Sequence, residues 1–323
     1  MTTRPDPPLT LRAAEPEDAL ALVPIVLGFH PEESVTLLGF GGRPSFHARV
    51  GLPPDSHGVP ALVQALLEPS RRHGVRELII VIHAAEPGLA GRCAHALELA
   101  FAAAGIDVLH VLRADGRRWW PLMRGMVPLG HDEGVGYDVQ AHPFLAAAVM
   151  EGRVIFGSRE ELARSLDPRP ERIREVETLL RGRGDLPASG PGSVDALAAR
   201  CREEGREPEV PEVAWLLAAL DHRAVWESTW SGLDRSDTLA QLRLWTSVLV
   251  AAPPSRRTRP ALLVTLSAWL AGNGALAWCA FDRATPSPRD ARMVALVRRL
   301  LTGAVPPSAW DDFAGGTRRG EAG

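Results

Sequence analysis

The sequence contains no lysine; all 36 of its basic residues are arginine. That absence excludes the phosphate-gripping lysine of a P-loop, the strand lysine of a protein kinase and the Schiff-base lysine of pyridoxal phosphate enzymes. Tyr137 is the one tyrosine and Asn273 the one asparagine. The arginine-for-lysine swap, with abundant Ala, Gly and Pro, reads as the codon bias of a GC-rich genome. Cysteine is also scarce. Cys93, Cys201 and Cys279 stand far apart with no C-x-x-C pairing, which argues against a disulfide framework or a zinc ribbon and fits a reducing cytosol. Long apolar runs are missing too. Ala261–Ala271 contains Thr265 and Ser267 and falls short of the roughly 20 apolar residues of a spanning helix, so no membrane segment is expected. Met1–Leu11 is polar and proline-rich, without the apolar core of a signal segment. The net charge of −3 gives no global pull toward nucleic acid or anionic lipid.

What is present is ordinary globular material, 46% hydrophobic and 23% charged. At roughly 100–200 residues per domain, 323 residues suggest two domains. The expected division is an α/β domain over 1–157, a helical connector and linker over 158–192, a helical domain over 193–313 and a disordered tail over 314–323. Charge is uneven: residues 253–303 carry eight arginines against two acids.

In the first part, Pro16-Glu17-Asp18 starts a helix that Gly28 caps, with Pro24 expected to bend it or end it early. Strands follow at Ser34–Phe40 and Ser45–Leu52. A helix over Val59–His73 comes next, with Pro69 a candidate early stop. Leu78-Ile79-Ile80-Val81-Ile82 is an uninterrupted apolar run, the mark of a strand buried on both faces. A helix from Pro87 to Gly105 leads to a strand at Val108–Leu112. Asp115-Gly116 then turns the chain into a returning strand, Arg117–Met123. This order predicts a mixed sheet of about five strands with two right-handed crossover helices. Residues 124–141 read as a Gly-rich loop, and Pro143–Met150 as a helix.

From Ser158 onward only helices are expected. Ser158 and Glu161 form a capping box. Further helices are predicted over 171–181, about 194–204, 212–230, 236–251, 260–271, 274–284 and 289–302, with a flexible linker at 182–192. Gly272, Ala277, Phe281 and Ala284 fall at the spacing of the second half of a tetratricopeptide repeat. The helical part is therefore read as either a repeat-like array or a compact bundle.

Several segments together resemble an actinobacterial family, the domain of unknown function family 4192. They are Val23-Pro24 through Gly28-Phe29-His30-Pro31 to Ser34-Val35, then Arg49 to Pro53, Arg118-Trp119-Trp120, and Glu151-Gly152 to Leu162. The helical end from Trp269 to Trp310 also looks like the family's tail. The family tends to have an acid where Gly51 stands and a cysteine pair at Met126-Val127-Pro128. Roles tied to those groups do not carry over, and the resemblance implies no known activity.

The candidate ligand-binding residues are His30, Ser34, Arg49, His83, Glu86, Arg118, Trp119 and Trp120. His30 and Ser34 sit in a turn with Glu32 and Glu33, where they read as a base and a hydroxyl, or as plain turn chemistry. His83 and Glu86 follow the buried strand, at the end where open α/β sheets bind ligands, or else form a polar loop. Trp119 and Trp120 must point to opposite faces of their strand. One is core; the other either packs under the helical domain or, beside Arg118, stacks on a planar ligand. His131, Asp132, Glu133, Asp138 and His142 lack metal-site spacing, so no metal is expected. No Gly-x-Gly-x-x-Gly or Gly-x-Ser-x-Gly is present, and no cofactor is expected. The arginines of the helical end, among them Arg256, Arg257, Arg259, Arg298 and Arg299, read as a solvated face or as phosphate contacts. The leading expectation is a non-catalytic α/β domain that binds a small ligand or scaffolds, joined to helices that bind a protein partner. One alternative is a hydrolase or transferase of a phosphorylated or nucleotide-like molecule. The other is a nucleic-acid-associated protein, an unlikely partner class given the overall charge.

Overall fold

The structure is a computed structural model that describes residues 15–42, 46–123, 133–182, 191–285 and 287–310. Two compact units divide the chain at Arg159/Glu160. The expected tail, most of the 182–192 linker and Met126–Pro128 lie outside the described residues.

The first unit is built on a six-stranded mixed sheet. Its strands are β1 (Ser34–Phe40), β2 (Phe46–Gly51), β3 (Glu77–His83), β4 (Asp107–Ala114), β5 (Arg118–Pro121) and β6 (Val135–Gly136), in the order β2-β1-β3-β4-β5-β6. Only β3 and β4 pair in parallel; every other neighbouring pair is antiparallel. Leu78 to Ile82 are all buried, as a central strand covered on both sides requires. Helix α2 (Val59–Arg72) crosses from β2 to β3, and α3 (Pro87–Ala103) from β3 to β4. These two helices pack on each other. Helix α1 (Pro16–Leu27) packs on α4 (Pro143–Met150) through Ala21, Ile25, Leu145 and Ala148.

The sheet has one strand more than expected. The sixth is the two-residue β6, inside a segment that read as loop. It exists because the Arg118 Nη1 donates to the carbonyls of Glu133 (2.7 Å) and Gly134 (3.1 Å) and so draws that segment onto the edge of β5. The prolines also act differently. α1 continues past Pro24 to Leu27, and α2 past Pro69 to Arg72. Each proline removes a single ladder hydrogen bond, and the burial of Leu20, Val23, Ile25 and Leu27 around the first, or of Leu62 and Leu66 before the second, outweighs it.

The second unit is helical throughout its described residues: α5 (Arg159–Arg164), α6 (Pro170–Gly182), α7 (Pro191–Glu203), α8 (Val210–Ala219), α9 (Arg223–Ser231), α10 (Thr238–Val250), α11 (Thr258–Leu270), α12 (Gly274–Phe281) and α13 (Ala291–Thr302). α11 is its centre. From Pro260 to Leu270 every residue is buried, with α10 and α12 packed against it. The single helix expected over 212–230 is in fact two, α8 and α9. The break falls at Leu220–His222, where Arg259 donates a hydrogen bond to the Leu220 carbonyl and satisfies a helix end that sequence alone leaves open. The tryptophans act as core wedges. Trp230 and Trp269 each meet Trp310 edge to face, and Trp226 and Trp245 are buried. No helix among the described residues is long and apolar enough to cross a membrane.

Candidate functional site

Strand direction decides where polar loops collect. β3 and β4 run in parallel, so their carboxyl ends meet at one end of the sheet. β1 runs against β3, with Ser34 opposite His83, so the turn that precedes β1 arrives at that same end. β5 begins there, because the turn from Asp115 to Arg117 reverses the chain out of β4. β6 ends there, because Gly136 pairs with Arg118. Four segments therefore converge: His30–Glu33, His83–Ala85, Ala114–Gly116 and Tyr137–Gln140. They enclose a cavity of about 460 Å³. A cleft at the carboxyl ends of parallel strands is the usual binding position of an open α/β sheet.

Each wall is fixed by specific bonds. The Glu33 carboxylate accepts from the Ala85 N–H at 3.1 Å, while its carbonyl accepts from the Leu52 N–H at 2.9 Å. Glu33 holds a φ of +38°, a left-handed conformation that strains a non-glycine residue and persists where surrounding bonds enforce it. Arg113 sends Nη1 to the carbonyls of Ala84 (3.2 Å) and Ala85 (2.9 Å), with its guanidinium 3.6 Å from the centre of the Trp120 ring. The Asp115 carboxylate accepts from the N–H groups of Arg117 (2.8 Å) and Arg118 (2.7 Å), and these bonds, with the nearby Arg113 charge, outweigh its slight desolvation and hold it below the usual carboxylate range. Asp138 accepts from the Gln140 N–H at 2.9 Å, and the Gln140 amide reaches His30 Nε2 at 3.0 Å.

His30 and His83 both line the cavity. Burial lowers the pKa of each. For His83 the fall is to about 4, with the positive charge of Arg49 and the neighbouring His30 adding to it. Both rings are thus neutral near pH 7, able to offer one donor and one acceptor each. His83 Nδ1 is buried and has no hydrogen-bond partner among the described residues. Tyr137 also lines the cavity, and its phenol is pushed up to about 12 by burial and by Asp115. Among the described residues the wall carries the carboxylates of Glu32, Glu33, Asp115 and Asp138 and no arginine.

A second polar feature adjoins the cavity. Directly opposed residues of neighbouring strands share a face, so Gly51, Ser34 and His83 form one cross-strand row, with Thr36 opposite Arg49 in the next. Ser34 and Thr36 are fully buried, and their hydroxyls have no hydrogen-bond partner among the described residues.

The eight residues singled out in the sequence thus separate. His30 and His83 face one cavity. Ser34 lies beside His83 but is hydrogen-bonded to neither histidine. Arg49 donates to the Glu32 carbonyl at 3.2 Å and lies over the Phe29 ring at 5.4 Å. Glu86 is the residue before α3, outside the cavity wall, and supports the charge of Arg113. Arg118 holds β6. Trp119 and Trp120 do point to opposite faces: the Trp119 indole donates to Glu17 of α1 at 3.0 Å, and Trp120 lies under Arg113 and against Gly134. Arg113, one strand away, gives the Trp120 ring a partner inside its own unit. Gln140, Tyr137 and Arg113 were not singled out as site residues, Asp115 only as a turn residue, and Asp138 only as a metal-ligand candidate. A charged residue inside the apolar strand Val108–Ala114 was the one signal available for Arg113.

Of the five residues weighed as metal ligands, His131 and Asp132 lie outside the described residues. The His142 Nδ1 accepts from the Phe144 N–H at 3.2 Å, and its other ring nitrogen faces Asp18 at 3.2 Å. Among the described residues no group of three His, Cys, Asp or Glu could hold a metal ion.

No curated protein and no solved structure gives a match to this chain. One family model does, that described as Domain of unknown function (DUF4192), over residues 16–308. That match spans both units, including every segment that builds the cavity, and the chain belongs to the DUF4192 family.

Proposed function

We propose that the α/β unit is a binding domain for one small polar ligand, uncharged or cationic, held by hydrogen bonds at the carboxyl ends of β3 and β4. The observation that carries this reading is the composition of the cavity wall among the described residues: two neutral imidazoles, a phenol, an amide and four carboxylates, with no arginine. Such a wall repels phosphate and attracts amines, amides and heterocycles. Binding is favoured over catalysis because a ring nitrogen that titrates near 4 is a poor proton acceptor for chemistry at pH 7. The hydroxyl nearest to it, Ser34, is not hydrogen-bonded to it. In the same reading the helical unit, where α10, α11 and α12 pack each on the next, meets a protein partner.

Native mass spectrometry of the protein purified from its own host tests the ligand. The wild type should retain a small neutral or cationic molecule that denaturation releases, and His83→Leu and Gln140→Ala should each lose it. Retention of an anion, or retention unchanged in both variants, would overturn the reading.

A further inference from the structure

A second cavity, of about 370 Å³, lies wholly within the helical unit. It forms where the amino ends of α11 and α13 approach the carboxyl end of α8, and it is lined by three arginines, Arg256, Arg259 and Arg289, with two aspartates, Asp221 and Asp290. The aspartates are already engaged. Asp290 receives Arg259 Nε at 3.0 Å and the Ser287 hydroxyl at 2.7 Å, and Asp221 receives Arg256 Nη2 at 3.0 Å. Arg259 is further committed to the Leu220 carbonyl and lies 5.3 Å from the Trp226 ring. Three guanidiniums against two carboxylates leave one positive charge in the wall.

Two further observations point to what that charge meets. The Arg256 side chain is about a third exposed, but its Nη1 is buried and has no hydrogen-bond partner among the described residues. The first turns of α11 and α13 contain no acidic residue; at the N-cap of α13 the Asp290 carboxylate is taken by Arg259 and Ser287. Asp290 precedes α13, yet its side chain does not cap that helix. Three arginines, one with a buried unpaired Nη1, and two helix amino ends around one cavity offer an oxyanion several donors.

We propose that this cavity binds the oxyanion group of a ligand, a phosphate or a carboxylate, with Arg256 as its central donor and Arg289 at its mouth. The site is separate from the cavity at the strand ends and does not rest on the ligand proposed there. The group has two sources, a free small anion or a phosphorylated side chain of a protein partner. An anion in the cavity would give Arg256 Nη1 the acceptor that no described residue supplies.

Isothermal titration calorimetry on the full chain in low-salt buffer tests this with three probes: inorganic pyrophosphate, citrate and a phosphoserine peptide. Saturable binding of at least one probe is expected. It should weaken by about tenfold or more in Arg256→Gln, in line with the loss of a charge-assisted hydrogen bond, and less in Arg289→Gln. Arg243→Gln, an exposed arginine outside the cavity, should bind as the wild type does. A preference for the peptide over both free anions assigns the group to a partner; the reverse assigns it to a small molecule. Thermal melting of each variant separates lost binding from lost folding. If Arg256→Gln does not fold, Arg289→Gln, whose side chain is exposed, carries the test. No saturable heat with any probe, or equal weakening in Arg289→Gln and Arg243→Gln, would overturn the proposal.

Discussion

The two cavities differ in which side chains face inward, although the same residue type builds both. Around the strand-end cavity the arginines stand behind the wall. Arg113 holds Ala84 and Ala85, Arg118 holds Glu133 and Gly134, and Arg49 holds Glu32, all through backbone carbonyls. The inner surface is left to carboxylates and neutral imidazoles. In the helical unit the arginines are the inner surface. Arg259 does reach the Leu220 carbonyl, but Arg256 Nη1 is buried without a hydrogen-bond partner among the described residues. In a chain without lysine, every positive charge carries a fork of donors that can tie down loops. Where backbone carbonyls take the fork, the charge serves the fold; where a cavity wall is left with an unused donor, that donor is assigned to the proposed ligand. The opposite preferences proposed for the two sites follow from that difference.

The strongest way to break the comparison is to damage one cavity's platform. Ile82 is fully buried and adjacent to His83, pointing to the other face of β3. Ile82→Ala should cost roughly 2–5 kcal/mol of stability by leaving a void in a close-packed core. Urea denaturation measures that cost, and calorimetry measures what it does to each site. The expectation is that the strand-end site no longer retains its ligand, while the oxyanion affinity of the helical unit is unchanged. A parallel loss of both would show that the cavities are not independent.

Acid separates them by a smaller margin. His83 and His47 are each lowered to about 4 by burial, and His30 is lowered as well. Such rings are neutral in the fold, whereas in the unfolded chain they take up a proton below about pH 6.5. The unfolded state therefore binds more protons between those values. Their contribution to stability is complete above about pH 6.5 and is lost as the pH falls toward 4. The slope is about 1.4 kcal/mol per pH unit for each histidine. Urea denaturation from pH 8 to pH 4.5 should show it, and the double variant His47→Gln with His83→Gln should flatten it. The helical cavity has no histidine in its wall, so oxyanion binding should change far less across this window. An equal fall in both would remove the histidines as its cause.

How much of this could be read from the sequence depends on how local the cause is. β3 was legible because Leu78–Ile82 is apolar without a break, and the acid-rich start of α1 and its Gly28 cap are signals within a turn of the helix ends they mark. The break between α8 and α9 was not, because the arginine that satisfies Leu220 lies 39 residues away. Nor was β6, which an arginine 15 residues upstream recruits. The same holds for the sites. His30 and His83 stood out as ring nitrogens next to turn signals and a strand end. Gln140 could not, because its meeting with His30 spans 110 residues and depends on β6 being present. The positive charge of residues 253–303 was visible as a sum. Which guanidinium is enclosed was not, because that depends on where three helix ends meet.

The finest test concerns the row Gly51, Ser34, His83 at the edge of the strand-end cavity. Gly51 is exposed, and a Cβ added there meets nothing within 4 Å. Gly51→Asp should therefore fold normally, and loss of a flexible glycine from a strand should cost nothing or stabilise slightly. Its carboxylate would stand two strands from His83, roughly 10 Å away at the usual spacing of paired strands. At that distance, close to water, the attraction is about half a kcal/mol, enough to raise the His83 pKa by about 0.3–0.5 unit. Proton NMR titration of the His83 ring should show the midpoint moving upward from about 4 in Gly51→Asp and staying put in Gly51→Asn. An upward shift confined to the aspartate would establish that the row is continuous and that the field of the strand-end cavity can be tuned from its edge. No shift would mean that solvent screens His83 from β2, and the carboxylates of Glu32, Glu33, Asp115 and Asp138 would then set the charge that a ligand meets there.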